Sequence, residues 1–172
     1  MNILIAYSSK TGNTKKLAMG IYNNIYEECD LNVSIKPIDE VKCIEDYDAI
    51  LIGYWVDKGG PNKEAKEFMK RIKNKRVGIF ATLGAYPDSN HGFNSLVKGE
   101  DLLKENNEII GKYICQGAVD SNLIEAFKKL DSNNYHAITD EKLRRYKIAK
   151  LHPNEAEILS ASILFKERLT IV

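Results

Sequence analysis

The chain has 172 residues, of which 44% are hydrophobic and 28% charged, and a formal net charge of +1. That is enough chain for one α/β domain over residues 1–172 with its own core, and too apolar a chain to stay disordered. The balance of charge excludes a global attraction to nucleic acid or to an anionic membrane.

The opening Met1-Asn2-Ile3-Leu4-Ile5-Ala6-Tyr7 has no basic n-region and too short an apolar run for a signal peptide. No stretch approaches the length of a membrane span, so a cytoplasmic location is expected. Cys29, Cys43 and Cys115 are scattered, make no CxxC pair, and read as free thiols.

Ile3 to Tyr7 reads as a buried first strand, and a helix follows with Leu17, Ala18, Ile21 and Ile25 on one face. Asp30-Leu31-Asn32 breaks it. Val33, Ile35 and Pro37 alternate with polar residues, as on a partly exposed strand, and Pro37 fits its end. Tyr47 to Gly53 is a continuous apolar run, as expected of a strand covered on both faces.

Gly59-Gly60-Pro61 leads into a helix whose stripe is Ala65, Phe68, Met69 and Ile72. Val77 to Ala81 is the next buried strand, and a loop rich in Gly, Pro, Asp and Asn runs from Thr82 to Gly92. Phe93, Leu96, Val97 and Leu103 suggest a helix, Glu108 to Cys115 a fifth strand, and Leu123, Ile124, Phe127 and Leu130 another helical face. A short helix is expected from Asp140 to Tyr146. A final helix runs from His152-Pro153-Asn154 to about Leu169, with Ala156, Leu159 and Ile163 facing inward and His152 helping to cap it. Strand and helix alternate, which predicts a parallel sheet with helices on both faces.

The turn after the first strand, Ser9-Lys10-Thr11-Gly12-Asn13-Thr14, is the informative one. A strand running into a helix there aims free N–H groups and a positive dipole end at one spot. Ser9, Thr11 and Thr14 can donate O–H groups to an anion, and Gly12 lets the backbone approach it. GxxxxGK[ST] and GxGxxG are both absent, which excludes an ordinary nucleotide triphosphatase and a dinucleotide-binding site. The loop holds no cysteine, which excludes a thiol phosphatase.

This Ser/Thr-x-Thr-Gly-x-Thr pattern resembles the FMN-phosphate loop of flavodoxins, and the likeness extends over nearly the whole chain. It implies a three-layer α/β flavodoxin-like fold, with a five-stranded parallel sheet in the order 2-1-3-4-5. It also implies FMN as cofactor, held by Ser9, Lys10, Thr11, Gly12, Asn13 and Thr14. The loops after the third and fourth strands would frame the ring with Tyr54, Trp55, Val56 and Asp57 on one side and Thr82, Leu83, Gly84 and Tyr86 on the other. Trp55 and Tyr86 are the family's stacking positions.

Val56 stands where the family usually has a glycine, and the nearby glycines come later, at Gly59 and Gly60. Lys10, Lys15 and Lys16 crowd the phosphate loop of a chain far less acidic than familiar flavodoxins.

The resemblance implies an electron carrier that exchanges electrons with redox partner proteins, with no nucleic-acid or membrane partner, and monomeric. An FMN-dependent NAD(P)H:quinone or flavin reductase, then a dimer, is the alternative. A further one is an accessory subunit, since the chain is similar to flavodoxin-like proteins encoded beside bilirubin-type reductases in anaerobic gut bacteria. His91, His136 and His152 lack metal-ligand spacing. Lys142, Arg144, Arg145 and Lys147 make a basic stretch able to face an acidic partner.

Overall fold

The computed structural model describes residues 1–26, 31–131, 133–134 and 136–170. Cys29, Asp30 and Tyr135 lie outside the described residues. In chain order the elements are β1 (Asn2–Tyr7), α1 (Asn13–Tyr26), β2 (Asn32–Pro37), a 3-10 turn (Ile38–Glu40), β3 (Ala49–Asp57), β4 (Gly60–Pro61) and α2 (Lys63–Met69). There follow β5 (Arg76–Leu83), α3 (Asn90–Asp101), β6 (Glu108–Gln116), α4 (Ser121–Lys128), α5 (Asp140–Ala149) and α6 (Glu155–Thr170). Among the described residues no helix is long and apolar enough to cross a membrane.

The parallel sheet runs β2-β1-β3-β5-β6, and the two-residue β4 pairs antiparallel with the end of β3. Leaving β4 out, this is the expected 2-1-3-4-5 succession; β4 itself is an addition within what the sequence presents as a loop. Side chains alternate across the sheet. Ile3, Ile5, Leu51 and Phe80 face α1 and α6, while Leu4, Ile50, Ile52 and Ile79 face α2 and the 3-10 turn. β2, at the edge, buries only Val33 and ends in Pro37, whose missing N–H costs nothing there.

The stripe of α1 lies inward as its spacing predicts. Two of the other helices that pack on the sheet, α6 and α3, differ from expectation. In α6 the inward residues are Ala161, Ser162, Phe165 and Leu169, whereas Leu159 is 53% exposed and Ala156 and Ile163 also face out. This helix is apolar nearly all round, so spacing alone offers two stripes. Packing on α1 selects the one containing Ser162, whose Oγ accepts from Asn24 Nδ2 at 3.0 Å and donates to Ile158 O at 2.7 Å. In α3 the buried face is Gly92, Ser95 and Gly99, and Phe93 is 64% exposed. Small residues face inward because α3 lies directly on Tyr54, whose hydroxyl donates to Ser95 O at 2.9 Å.

Residues 117–152 connect β6 to α6 and form an arm rather than a layer. Neither α4 nor α5 lies along the sheet. No residue of α4 is buried, contrary to the inward face expected of Leu123, Ile124, Phe127 and Leu130; α5 buries Tyr146 and Ala149. The expected helix at Asp140 is present and runs one turn further. The cap of α6 is built by Asn154 and Glu157, which exchange backbone-to-side-chain hydrogen bonds, with His152 Nδ1 2.7 Å from the same Glu157 carboxylate. His152 thus acts on the cap through Glu157.

Candidate functional site

The site begins where β1 stops. Ser8 N–H donates to Gly53 O at 2.9 Å, which holds the departing chain beside β3. Gly12 sits at φ +89°, a conformation that side-chain-bearing residues rarely adopt. Its carbonyl accepts from Lys16 N–H at 2.9 Å and closes the first turn of α1. Of the orphan donors at this helix start, Lys15 N–H is taken by Ser9 Oγ at 3.2 Å. The N–H groups of Asn13 and Thr14 have no partner among the described residues.

The side chains of the loop brace one another. Asn13 Nδ2 donates to Thr11 Oγ1 at 2.9 Å and to Ala118 O at 2.8 Å, which ties the loop to the start of the arm. Ser9 and Thr11 use lone pairs in these contacts, so each hydroxyl proton stays available to an anion. Thr14 differs from expectation: its Oγ1 lies 2.9 Å from Thr82 Oγ1, both residues being buried. Its hydroxyl locks α1 to β5, and what Thr14 can offer an anion is its N–H. Lys16 also departs from the expected crowding, since its Nζ donates to Pro153 O at 2.6 Å. Lys10 Nζ stands 5.3 Å over the Trp55 ring.

The second wall is a hairpin, not a loop. Trp55, Val56 and Asp57 belong to β3, and Val56 and Asp57 pair with Pro61 and Gly60. The turn is Lys58-Gly59, both at positive φ (+49° and +74°), which is the two-residue geometry that matches strand twist. The chain reversal therefore falls two residues beyond Val56, the position where the family usually has its glycine.

Alternation separates the two aromatics that precede it. Trp55 pairs with Thr82 and is half-buried, while Tyr54 points into the core on the opposite face with no exposure at all. Tyr54 is therefore corrected from a ring-framing residue to a core residue; burial raises its phenol above the ordinary range.

The third wall starts as strand. Thr82 and Leu83 close β5 and are buried, so only Gly84 and the residues after it form the loop. The Leu83 side chain is core, which corrects its expected place beside a ring. Gly84 is packed against Val119 of the arm: a Cβ there would come within 2.3 Å of it. Tyr86 is 40% exposed, and the Arg145 guanidinium of α5 lies 5.8 Å over its ring. The structure thus gathers Ser9 to Thr14, Trp55, Thr82 and Tyr86 at the carboxyl ends of β1, β3 and β5, which is where open parallel sheets hold ligands.

Sequence reasoning missed three contributors. Asn62 is fully buried and donates to Ser8 Oγ at 2.8 Å and Glu64 Oε2 at 2.6 Å; its Oδ1 has no partner among the described residues. Its place after Pro61 signals a helix cap, yet its side chain makes no cap bond. Ala118 and Arg145 reach the site from more than a hundred and more than fifty residues away from Asn13 and Tyr86, and no local pattern announces them.

A cavity of about 530 Å³ opens on the β2 side, lined by Tyr7, Ser9, Asp39, Glu64, Glu67 and Phe68 among others. Three carboxylates (Asp39, Glu64, Glu67) and one guanidinium (Arg71) line it, a balance that disfavours an anion there. The Glu64 carboxyl is held below the usual range by its own backbone N–H and by the Asn62 amide.

Residues 4–166 match the flavodoxin domain family. The chain belongs to the flavodoxin family. It is 37% identical over 172 residues to the flavodoxin-like domain-containing protein BilS of Clostridioides difficile strain CD3, covering 98% of this chain and 97% of that one. Among solved structures, a flavodoxin from the domain Archaea superposes with a TM-score of 0.56 at 17% identity, covering 96% of this chain and 99% of its own. A flavoprotein of Lactobacillus acidophilus NCFM in complex with FMN superposes at 0.52 and 20% identity, over 74% of this chain and 99% of its own.

Flavodoxins are flavin-binding redox proteins, and their cofactor is FMN. The donor set of this flavodoxin suits a phosphate monoester: two hydroxyl protons, two helix-start N–H groups and a glycine at positive φ lie in one turn that has no carboxylate.

Proposed function

We propose that this flavodoxin holds one FMN and carries electrons between redox partner proteins. The observation that carries the reading is the phosphate loop, in which Ser9, Thr11, Asn13 and Thr14 keep donors unused while every brace around them is made. When bound, FMN supplies one- and two-electron transfer. The chain's own residues do the rest. Ser9 to Thr14 bind the phosphate, Trp55 and Tyr86 offer aromatic faces, and the Lys58-Gly59 turn presents backbone amides and carbonyls beside the ring's place.

Electron-rich aromatic faces disfavour negative charge on a neighbouring ring. Here each aromatic has a cation over it, Lys10 on Trp55 and Arg145 on Tyr86, which offsets that effect. This supports a reduction potential less negative than that of strongly acidic relatives.

Titration of apoprotein with FMN tests the reading. A yellow one-to-one complex with quenching of Trp55 emission is expected; protein that stays colourless and unquenched in saturating FMN overturns it. Steady NAD(P)H oxidation by the loaded protein alone, with quinone as acceptor, would make it a reductase instead. Dependence on a second protein supports the carrier or an accessory subunit of a reductase.

A further inference from the structure

Apart from Arg145, the basic stretch of α5 has no part in the site as described so far, yet its outer surface has an unusual make-up. From residue 142 to 150 there are five cations and no carboxylate, in a chain whose net charge is only +1, so the remainder of the chain is net acidic. Residues four apart on a helix stack in rows. Leu143, Lys147 and Leu151 form one row, continuing just past the helix end, and Arg144 and Ile148 form the next.

All five are exposed, Leu151 at 71% and Ile148 at 46%. Among the described residues, Arg144, Lys147 and Lys150 enter no ion pair and no side-chain hydrogen bond. Aliphatic side chains and unpaired cations are therefore interleaved on one side of a single helix. A shallow cleft of about 250 Å³ between α4 and α5, lined by Ile124, Leu143, Lys147 and Lys150 among others, adjoins this surface, and on its α4 side Lys128 is paired with Glu125 at 2.7 Å.

The inner side of α5 says what this surface stands next to. Arg145 lies between the Tyr86 ring at 5.8 Å and the Tyr146 ring at 5.4 Å, with its Nε buried and without a hydrogen-bond partner among the described residues. The arm is thus seated on the loop that carries Tyr86, and a helix is only about 10 Å across. An object resting on α5 comes within one helix diameter of the candidate cofactor loop.

A lipid-binding helix segregates its cations from its apolar face, and these do not. Aliphatic side chains among cations are instead the pattern of a protein interface, with apolar contact for affinity and charge for steering.

We infer that the outer face of α5 (Leu143, Arg144, Lys147, Ile148 and Leu151) docks an electron-exchanging protein whose own contact face carries carboxylates around an apolar patch. The inference rests on the electron-carrier reading. It reverses the usual polarity of the family, in which an acidic carrier meets a basic partner.

The test uses full-length FMN-loaded protein, reduced anaerobically with dithionite and mixed in a stopped-flow instrument with ferric cytochrome b5, an acidic haem protein, or with ferric cytochrome c, a basic one. One electron passes from the reduced flavin to the haem iron, which becomes ferrous. The second-order rate constant with cytochrome b5 is expected to exceed that with cytochrome c, after allowance for driving force, and to fall as salt is added. Arg144→Glu/Lys147→Glu should slow the reaction with cytochrome b5 about tenfold while leaving the flavin spectrum and the reduction of a small neutral quinone unchanged. Leu143→Ser/Leu151→Ser should slow it without altering the salt dependence.

A faster reaction with cytochrome c, or an unaltered rate in the charge-reversed protein, overturns the inference. Two other results reassign the face and overturn it as well: a dimer that the charge reversal dissociates, or binding to phosphatidylglycerol vesicles that it abolishes. Failure to load FMN is seen in the spectrum before mixing, and tells against the carrier reading rather than against this surface.

Discussion

The carboxyl end of the sheet and the α4–α5 arm solve opposite problems. At the sheet end, Thr14 and Thr82 share a buried hydrogen bond, Asn62 holds Ser8, and Gly12 is fixed at φ +89°. Nearly every group there has one place to be. In the arm α4 buries nothing, α5 turns aliphatic side chains to solvent, and three cations have no described counter-charge. The two proposed roles call for this contrast: atoms that meet a small rigid ligand are held by buried bonds, whereas a surface that docks another protein is left uncovered.

That contrast can be broken by mutation, and the largest effect lies in the core behind the site. Phe165 is buried edge-on to Phe80, with ring centroids 6.2 Å apart. Phe165→Ala should cost about 3–5 kcal/mol in urea unfolding. Leu159→Ala and Ile163→Ala, on the same helix but facing out, should each stay within about 0.5 kcal/mol. Equal losses would mean that α6 is turned the other way.

Next in size is the loop. Gly12→Ala places a Cβ at a positive φ that costs an ordinary residue roughly 1–2 kcal/mol. FMN affinity measured by Trp55 quenching should weaken about tenfold, while Leu123→Ser in α4 should leave it unchanged. Thr14→Val leaves the buried Thr82 hydroxyl without its partner, and unfolding free energy should fall by about 1–3 kcal/mol.

The smallest effect is a slope against pH. Burial, assisted by the Glu157 charge, pushes the Cys115 thiol far above its ordinary value, so the folded protein keeps that proton when the unfolded chain has lost it. The associated stability is complete below about pH 9 and is lost as pH rises beyond it. Burial of Tyr54 and Tyr113 acts in the same sense at somewhat higher pH. Cys115→Ala should flatten the slope between pH 8 and 10. On a Cys29→Ser background, iodoacetamide should label the exposed Cys43 in the native state and reach Cys115 only on unfolding.

Legibility in the sequence tracked how local the cause was. The stripe of α1, the edge character of β2 with its terminal Pro37 and the turn at residues 9–14 between β1 and α1 each follow from a few consecutive residues, and all lie where their pattern puts them. Tyr54 and Trp55 were harder. The apolar run reads as ending at Gly53, which leaves both in a loop, and only their pairing with Ala81 and Thr82 extends β3 through them so that alternation sends them to opposite faces. The turn at Lys58-Gly59 was obscured for a similar reason, since Gly59-Gly60-Pro61 reads as a loop until Gly60 and Pro61 pair back onto β3.

By itself, then, the sequence determined the strand–helix alternation and the glycine-bearing turn from β1 into α1, because hydrophobic period and turn chemistry act over a few residues. Tertiary structure alone decided which stripe of α6 is core, which aromatic of β3 is free, and that Arg145 comes to rest on Tyr86. Those outcomes depend on surfaces brought together from distant parts of the chain, and a helix apolar on several sides carries no local record of the neighbour that covers it.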